Sequence, residues 1–361
     1  MSADESSEGR PIYDRPFVAP PESIVSDGAF SYGCFNGPIP RTNILDVDMP
    51  YHYQVPCWFK KSRCKQWRAF QLGDSRYFVF TAMYEAGIFG LALFYIWDRE
   101  RKRAHEYRRL VPLRSFGIGE KLNGEQLEFG DRHGHIMYRT DLSKGEVLIE
   151  ASVSRRGRRP AFSAGFRLAY NGRQTSACSS CLPLGLNRAM YSAKVLMPME
   201  GWVLADDERY EMIGADAMGI MDDHKGFYPY RMHSDWVTGF GIDGKGRRVG
   251  FNLTDNQVRD QSVYNENILW INSRAFPLPP VKVTRPHGPA AEWHIQDTEG
   301  LVDLLFRPER KNDIKLNALV FAVNYHGPFG SFEGTLRSPD GSERIAVRSL
   351  YGMGEKKYLR V

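Results

Sequence analysis

KQWRAFQLGDSRYFVFTA (Lys65–Ala82) and SDWVTGFGIDGKGRRVGFNL (Ser234–Leu253) decide the fold. Each places a tryptophan (Trp67, Trp236) at the start of a strand, breaks at a Gly/Asp turn and resumes in a second strand with alternating aromatics. Side chains alternate between the two faces of a strand, so each segment reads as a hairpin with one face on a core. Shorter runs repeat the pattern at Leu91–Trp97, Val147–Val153, Ala161–Leu168, Ile268–Asn272, Leu301–Phe306 and Arg344–Leu350. Gly73-Asp74, Asn171-Gly172, Asp243-Gly244, Glu299-Gly300 and Asp340-Gly341 punctuate them, and Asp-Gly and Asn-Gly pairs suit the φ > 0 positions of tight hairpins. No long stretch free of Gly or Pro carries apolar residues at helical spacing. Repeated strands without βα alternation predict an antiparallel sandwich or barrel. The echo between the two segments predicts two barrel-like units, each closing its own sheet so that no long edge is left unpaired. The Pro/Gly-rich connection CLPLGLN (Cys181–Asn187) sets the expected boundary. That gives a flexible arm over residues 1–29, a first barrel over 30–187, and a second over 188–361 that carries the site.

A length of 361 residues accommodates two domains, and 42% hydrophobic with 25% charged residues is ordinary for a packed globular chain. The net charge of +5 is small and dispersed. The run Arg155, Arg156, Arg158, Arg159 reads as an exposed hairpin tip rather than a nucleic-acid patch. The N-terminus, MSADESSEGRPIYDRPFVAPPESI, is acidic and rich in Ser and Pro, with no apolar segment of a secretory signal. Gly87–Trp97, GIFGLALFYIW, is too short for a membrane-spanning helix and fits a buried strand. An odd set of five cysteines, Cys34, Cys57, Cys64, Cys178 and Cys181, points to free thiols in a reducing compartment, and the expected location is the cytoplasm. Cys178-Ser-Ser-Cys181 lacks a second pair to complete a zinc site and reads as two thiols in a loop.

The densest chemistry lies between Asp216 and Trp270. Asp222-Asp223-His224-Lys225 gathers acid and base groups; adjacent carboxylates on a strand point to opposite faces, so at most one looks into a given barrel. A carboxyl group facing an aromatic interior would be pushed toward its protonated form and could serve as a general acid. The alternative is a solvated turn. Tyr228, Tyr230, His233 and Trp236 follow, offering hydroxyl, imidazole and aromatic faces for a polar group or a developing cation, or else plain barrel packing. Asn265-Glu266-Asn267 interrupts an apolar strand and must either line a pocket or lock a loop. His133 and His135 share a strand face without further ligands and read as a polar hairpin. Gly117-Ile-Gly119 and Gly239-Phe-Gly241 lack the helix of a dinucleotide fingerprint, and no Walker, nucleophile-elbow or zincin motif occurs. No cofactor or metal is called for by these motifs.

YSAKVLMPMEGWV (Tyr191–Val203), DDHKGFYPYRMHSDW (Asp222–Trp236), VGFNL (Val249–Leu253), NENILW (Asn265–Trp270), GPFGSFEGTL (Gly327–Leu336) and LYGMGEK (Leu350–Lys356) together resemble an uncharacterised bacterial family of lipocalin-like proteins. The resemblance runs from about Phe30 to the end. That family is similar, more distantly, to carotenoid hydratases and tocopherol cyclase, whose fold is two calycin-type β-barrel domains. The resemblance implies an all-β fold of two lipocalin-like antiparallel barrels packed together. It also implies protonation of an alkene, or of a polar group beside one, by a buried carboxylic acid, with aromatic faces holding the cation. Asp222 stands where the family has its acid and Trp236 matches a downstream tryptophan, while Asp223-His224, Phe227 and Val237 depart from the usual pattern.

The expected function is therefore a cofactor-independent enzyme acting on a hydrophobic small molecule by acid-catalysed hydration, isomerisation or cyclisation. Asp222 is the expected proton donor, His224 or Tyr228 its relay, Tyr230, His233 and Trp236 the substrate lining, and Asn265 and Glu266 the groups that orient water or a polar substrate end. A non-catalytic carrier or sensor of lipophilic ligands is the alternative.

Overall fold

The computed structural model of the chain describes residues 12–360 other than 88, 113, 158 and 318–321. Residues 1–11 of the expected arm and Arg158 of the basic run lie outside the described residues. The described residues are nearly all β-structure, with one seven-residue α-helix at Cys57–Arg63. Two curled antiparallel sheets, each bent partway into a barrel, make up the body.

The first sheet is a meander around a central strand. Arg103–Pro112, Phe89–Asp98, Tyr77–Glu85 and Lys65–Gly73 pair in succession, followed by Met218–Gly226 and the long strand Arg188–Ala205. Phe162–Ala169, Glu146–Val153, Gly134–Asp141 and Asn123–Gly130 complete the order. Its two ends meet through side chains: Arg109 pairs with Asp131 at 2.9 Å, and the Tyr107 ring packs where a Cβ on Gly134 would sit. The second sheet runs Arg274–Pro277, Ile268–Ile271, Arg248–Asp255, Arg231–Ile242, Arg344–Arg360, Phe329–Arg337, Val302–Arg310, Trp293–Gln296 and Lys282–Thr284. Gly354 is required there because a Cβ would come within 2.5 Å of the Trp293 ring and 2.9 Å of Phe306.

The two echoed segments are indeed hairpins, one in each sheet. Each sheet encloses its own apolar interior, and a third cluster fills the seam between them. Alternation assigns the faces. Phe70 and Met221 point into the first interior, while Ala69 and Ile220, one residue away, point into the seam. Strands at the seam are thus buried on both faces, which is why Met218–Gly226 is buried along its whole length.

Three expectations are corrected. The change of sheet falls between Gly226 and Arg231, not at 187. The punctuation at Cys181–Asn187 marks a hairpin, because Ala177–Gly185 pairs with Arg188–Ala205 inside the first sheet. Asp222, His224 and their strand consequently belong to the first sheet rather than to a second barrel. The described part of the N-terminal arm is packed: Arg15 is 3% exposed and donates to the backbone carbonyls of Asn265 at 2.7 Å and Asn267 at 2.9 Å. Cys178 and Cys181 lie on a strand, not in a loop, one turned to the seam and the other to the first interior.

Candidate functional site

Between the sheets lies a cavity of about 500 Å³. Most of its wall is apolar or aromatic, including Phe80, Leu91, Leu93, Trp67, Tyr84 and Trp236. One region of that wall is ionic, and strand register builds it. Lys194 stands directly across from Asp222, and Ser192 across from His224, in the pairing of Arg188–Ala205 with Met218–Gly226. On the other flank Trp67 stands across from His224 and Ala69 from Asp222.

Lys194 Nζ is 2.7 Å from Asp222 Oδ1 and 3.6 Å from Glu266 Oε2. Ser192 Oγ donates to the same Glu266 oxygen at 2.5 Å, and Trp67 Nε1 donates to Asp222 Oδ2 at 3.2 Å. Burial works against the Lys194 ammonium, but Asp222 and Glu266 together more than offset it, so its pKa is raised above the ordinary lysine value. Opposite-charge partners and extra hydrogen bonds are what make such buried charges tolerable.

Beside this set, His224 stacks on Trp67 with ring centroids 3.9 Å apart and planes 3° apart. Its Nε2 meets the Tyr228 hydroxyl, and its Nδ1 has no partner among the described residues. Burial, then the Lys194 and Lys357 ammonium groups, hold His224 well below the ordinary histidine value, so the ring is neutral at pH 7. Burial, then Glu266, Tyr84, Asp222 and Glu355, push Tyr228 well above the ordinary tyrosine value, so it keeps its proton.

The two echoed tryptophans meet the cavity from opposite sheets, and each is covered by a lysine of the other sheet. Lys194, from the first, lies 5.4 Å from the ring centroid of Trp236 in the second. Lys357, from the second, lies 5.2 Å from that of Trp67 in the first. This exchange of cation–π contacts ties the sheets together at the cavity wall. Trp236 is held further by its indole N–H donating to Asn252 Oδ1 at 2.6 Å, while Asn252 Nδ2 donates to the Glu266 carbonyl at 2.9 Å.

Of the expected site residues, Asp222, His224, Tyr228, His233, Trp236 and Glu266 line the cavity. Tyr230 and Asn265 do not. Tyr230 is 47% exposed and lies just before the strand Arg231–Ile242 begins. Asn265 is buried behind the wall, locking its loop through the Gln261 carbonyl at 2.9 Å and the Asn267 N–H at 2.9 Å. The loop-locking reading of this segment thus describes Asn265, while Glu266 beside it reaches the cavity. Asp222 also differs from expectation, being an ion-paired group and not a lone carboxyl among rings. Sequence reading missed Lys194, Trp67 as a site residue, Tyr84, Lys357 and Gln71. A lone lysine inside the apolar run YSAKVLM was the available signal for Lys194.

Asp223, on the opposite face, points into the first interior, where Arg68 donates to it at 2.9 Å and pairs with Glu125 at 2.6 Å. The adjacent carboxylates therefore serve two different interiors. Among the described residues no group of three or more His, Cys, Asp or Glu side chains is placed to hold a metal ion, and no helix is long and apolar enough to cross a membrane.

No curated protein sequence matches the chain. Among solved structures it is similar to a candidate AttH protein from Nitrosomonas europaea, with a TM-score of 0.45 and 11% identity over 95% of this chain and 100% of that one. It is also similar to kievitone hydratase from Nectria haematococca, with a TM-score of 0.42 and 11% identity over 92% and 98%. The family described as domain of unknown function DUF2804 matches residues 20–361, nearly the full length, and the chain belongs to that family.

Proposed function

We propose that the chain is an enzyme that binds a hydrophobic small molecule, of terpenoid, steroid, polyketide or fatty-acyl type, and hydrates, isomerises or cyclises it by proton transfer. The observation that carries this reading is the single cavity wall on which Asp222, Lys194 and Glu266 stand beside the His224–Tyr228 pair, facing an otherwise apolar space. Its volume of about 500 Å³ falls in the usual small-ligand range of roughly 300–1,000 Å³.

The ion pair refines the chemistry. Lys194 and Tyr228 keep their protons and can donate hydrogen bonds; Asp222 is the acceptor. Such a set suits an alkene conjugated to a carbonyl better than an isolated one, which needs a stronger acid. In hydration, Asp222 takes a proton from water and the water oxygen bonds to the β-carbon. The alkene electron pair moves toward the carbonyl oxygen, where Lys194 and Tyr228 stabilise the developing charge. Asp222 then returns the proton to the α-carbon. Isomerisation uses the same carboxylate to move a proton between carbons.

A carrier of lipophilic ligands is the second reading, favoured by the fact that Asp222 and Glu266 are both ion-paired with Lys194 within the protein. Asp222→Asn separates the two. The enzyme keeps its ligand affinity and loses turnover by roughly 100- to 10,000-fold; a carrier has no turnover to lose. Binding by calorimetry and product formation by liquid chromatography, on the same preparations, give the answer.

A further inference from the structure

Gln71 is fully buried, lines the cavity, and has no hydrogen-bond partner among the described residues for either its Nε2 or its Oε1. Its cross-strand neighbours are Phe80 on one side and Ile220 on the other, and Ala69 and Gly73 stand two residues away along its own strand. None of these side chains can accept or donate. Four other buried amides behave differently. Asn43, Asn252, Asn265 and Asn267 each engage both their donor and their acceptor within the protein. An unpartnered buried carboxamide is costly, and an apolar side chain of the same size would pack here without that cost.

We propose that Gln71 is a ligand-binding residue that holds a neutral hydroxyl group of the bound molecule, Nε2–H donating to its oxygen and Oε1 accepting its proton. A hydroxyl, which donates and accepts through one oxygen, is the smallest group that meets both ends of a carboxamide. The apolar neighbours Phe80 and Ile220 supply no counter-charge for an ionised group. Register fixes the distance to the ionic wall: Ala69, across from Asp222, is two residues from Gln71, which is about 7 Å along a strand. The ligand is therefore an alcohol or phenol whose apolar body runs from Gln71 past Asp222. This rests on the reading of the cavity as a ligand site and adds the substrate class to it.

The test compares β-naphthol with naphthalene, a rigid pair differing by one hydroxyl, by titration against the full chain and against Gln71→Met. The wild-type protein is expected to favour β-naphthol by roughly 10-fold or more. Gln71→Met is expected to bring the two affinities within about 3-fold, with naphthalene bound at least as tightly as before because the replacement is nearly isosteric. An unchanged preference in Gln71→Met overturns the assignment while leaving the cavity a ligand site. Failure of both compounds to bind the wild-type protein overturns the ligand-site reading and the assignment with it. If Gln71→Met does not fold, Gln71→Asn is read by the same ratio, since shortening the amide must also weaken the preference.

Discussion

Replacing Lys194 with methionine keeps the length of the side chain and removes the ammonium ion-paired with two buried carboxylates on the cavity wall. Lys194 Nζ lies 2.7 Å from Asp222 and 3.6 Å from Glu266, with all three side chains at 7% exposure or less. At an effective dielectric near 20, the closer contact alone corresponds to a gross attraction of about 6 kcal/mol. Protonation and relaxation of the abandoned acids recover part of that. The expected net loss is the roughly 3–5 kcal/mol seen when one partner of a buried pair is removed. The Trp236 contact at 5.4 Å adds a further ~0.5–2 kcal/mol. Equilibrium urea unfolding followed by far-ultraviolet circular dichroism measures the loss. Combining Lys194→Met with Asp222→Asn should restore much of it, giving a coupling of at least about 2 kcal/mol in a double-mutant cycle. A single variant within about 1 kcal/mol of wild type, or strictly additive variants, would refute the reasoning, because the charges would then not depend on one another.

Two further outcomes concern protons. His224 has its pKa well below the ordinary 6.5, so between the two values the unfolded chain binds a proton that the folded chain refuses. Its stabilising contribution is full above pH 6.5 and is lost as pH falls toward the folded value; His224→Gln should flatten the decline of stability between pH 7 and pH 5, measured by urea midpoints. Lys65 is buried, and burial followed by the nearby Arg63 charge brings its pKa down to about 8. The depressed value means stability is full above the ordinary lysine range and falls as pH drops toward 8. Lys65→Met should therefore stabilise the chain at pH 7 by roughly 2–3 kcal/mol, and a destabilised variant in the same melts would show that the ammonium has a partner.

Much of the β-architecture was legible because strands with one buried face alternate and end at Asp-Gly or Asn-Gly turns. Glu146–Val153, whose buried residues alternate, is expected to within a residue for that reason. The central strands were not legible in the same way. Met218–Gly226 is buried on both faces, so Asp222, Asp223, His224 and Lys225 break every alternation and read as a polar cluster. The cluster was found, but its wiring was not. Lys194 is 28 residues from Asp222 in sequence and touches it only because the strand register sets them opposite. The boundary at Cys181–Asn187 failed for a related reason, since Pro and Gly punctuate hairpins and domain junctions alike. Tyr230 was misplaced because the strand begins only at Arg231, and Asn265 because a buried amide can satisfy a loop as well as a ligand.

The central claim is that the cavity between the sheets holds a lipophilic molecule and that the Asp222 wall changes it. Native mass spectrometry of wild-type and Asp222→Asn protein purified from the same cells, with chemical identification of whatever is released, tests it most directly. The expected result is a stoichiometric lipophilic alcohol or phenol whose two forms differ by a water, a double-bond position or a ring closure. The same molecule in both preparations, or none in either, would contradict it.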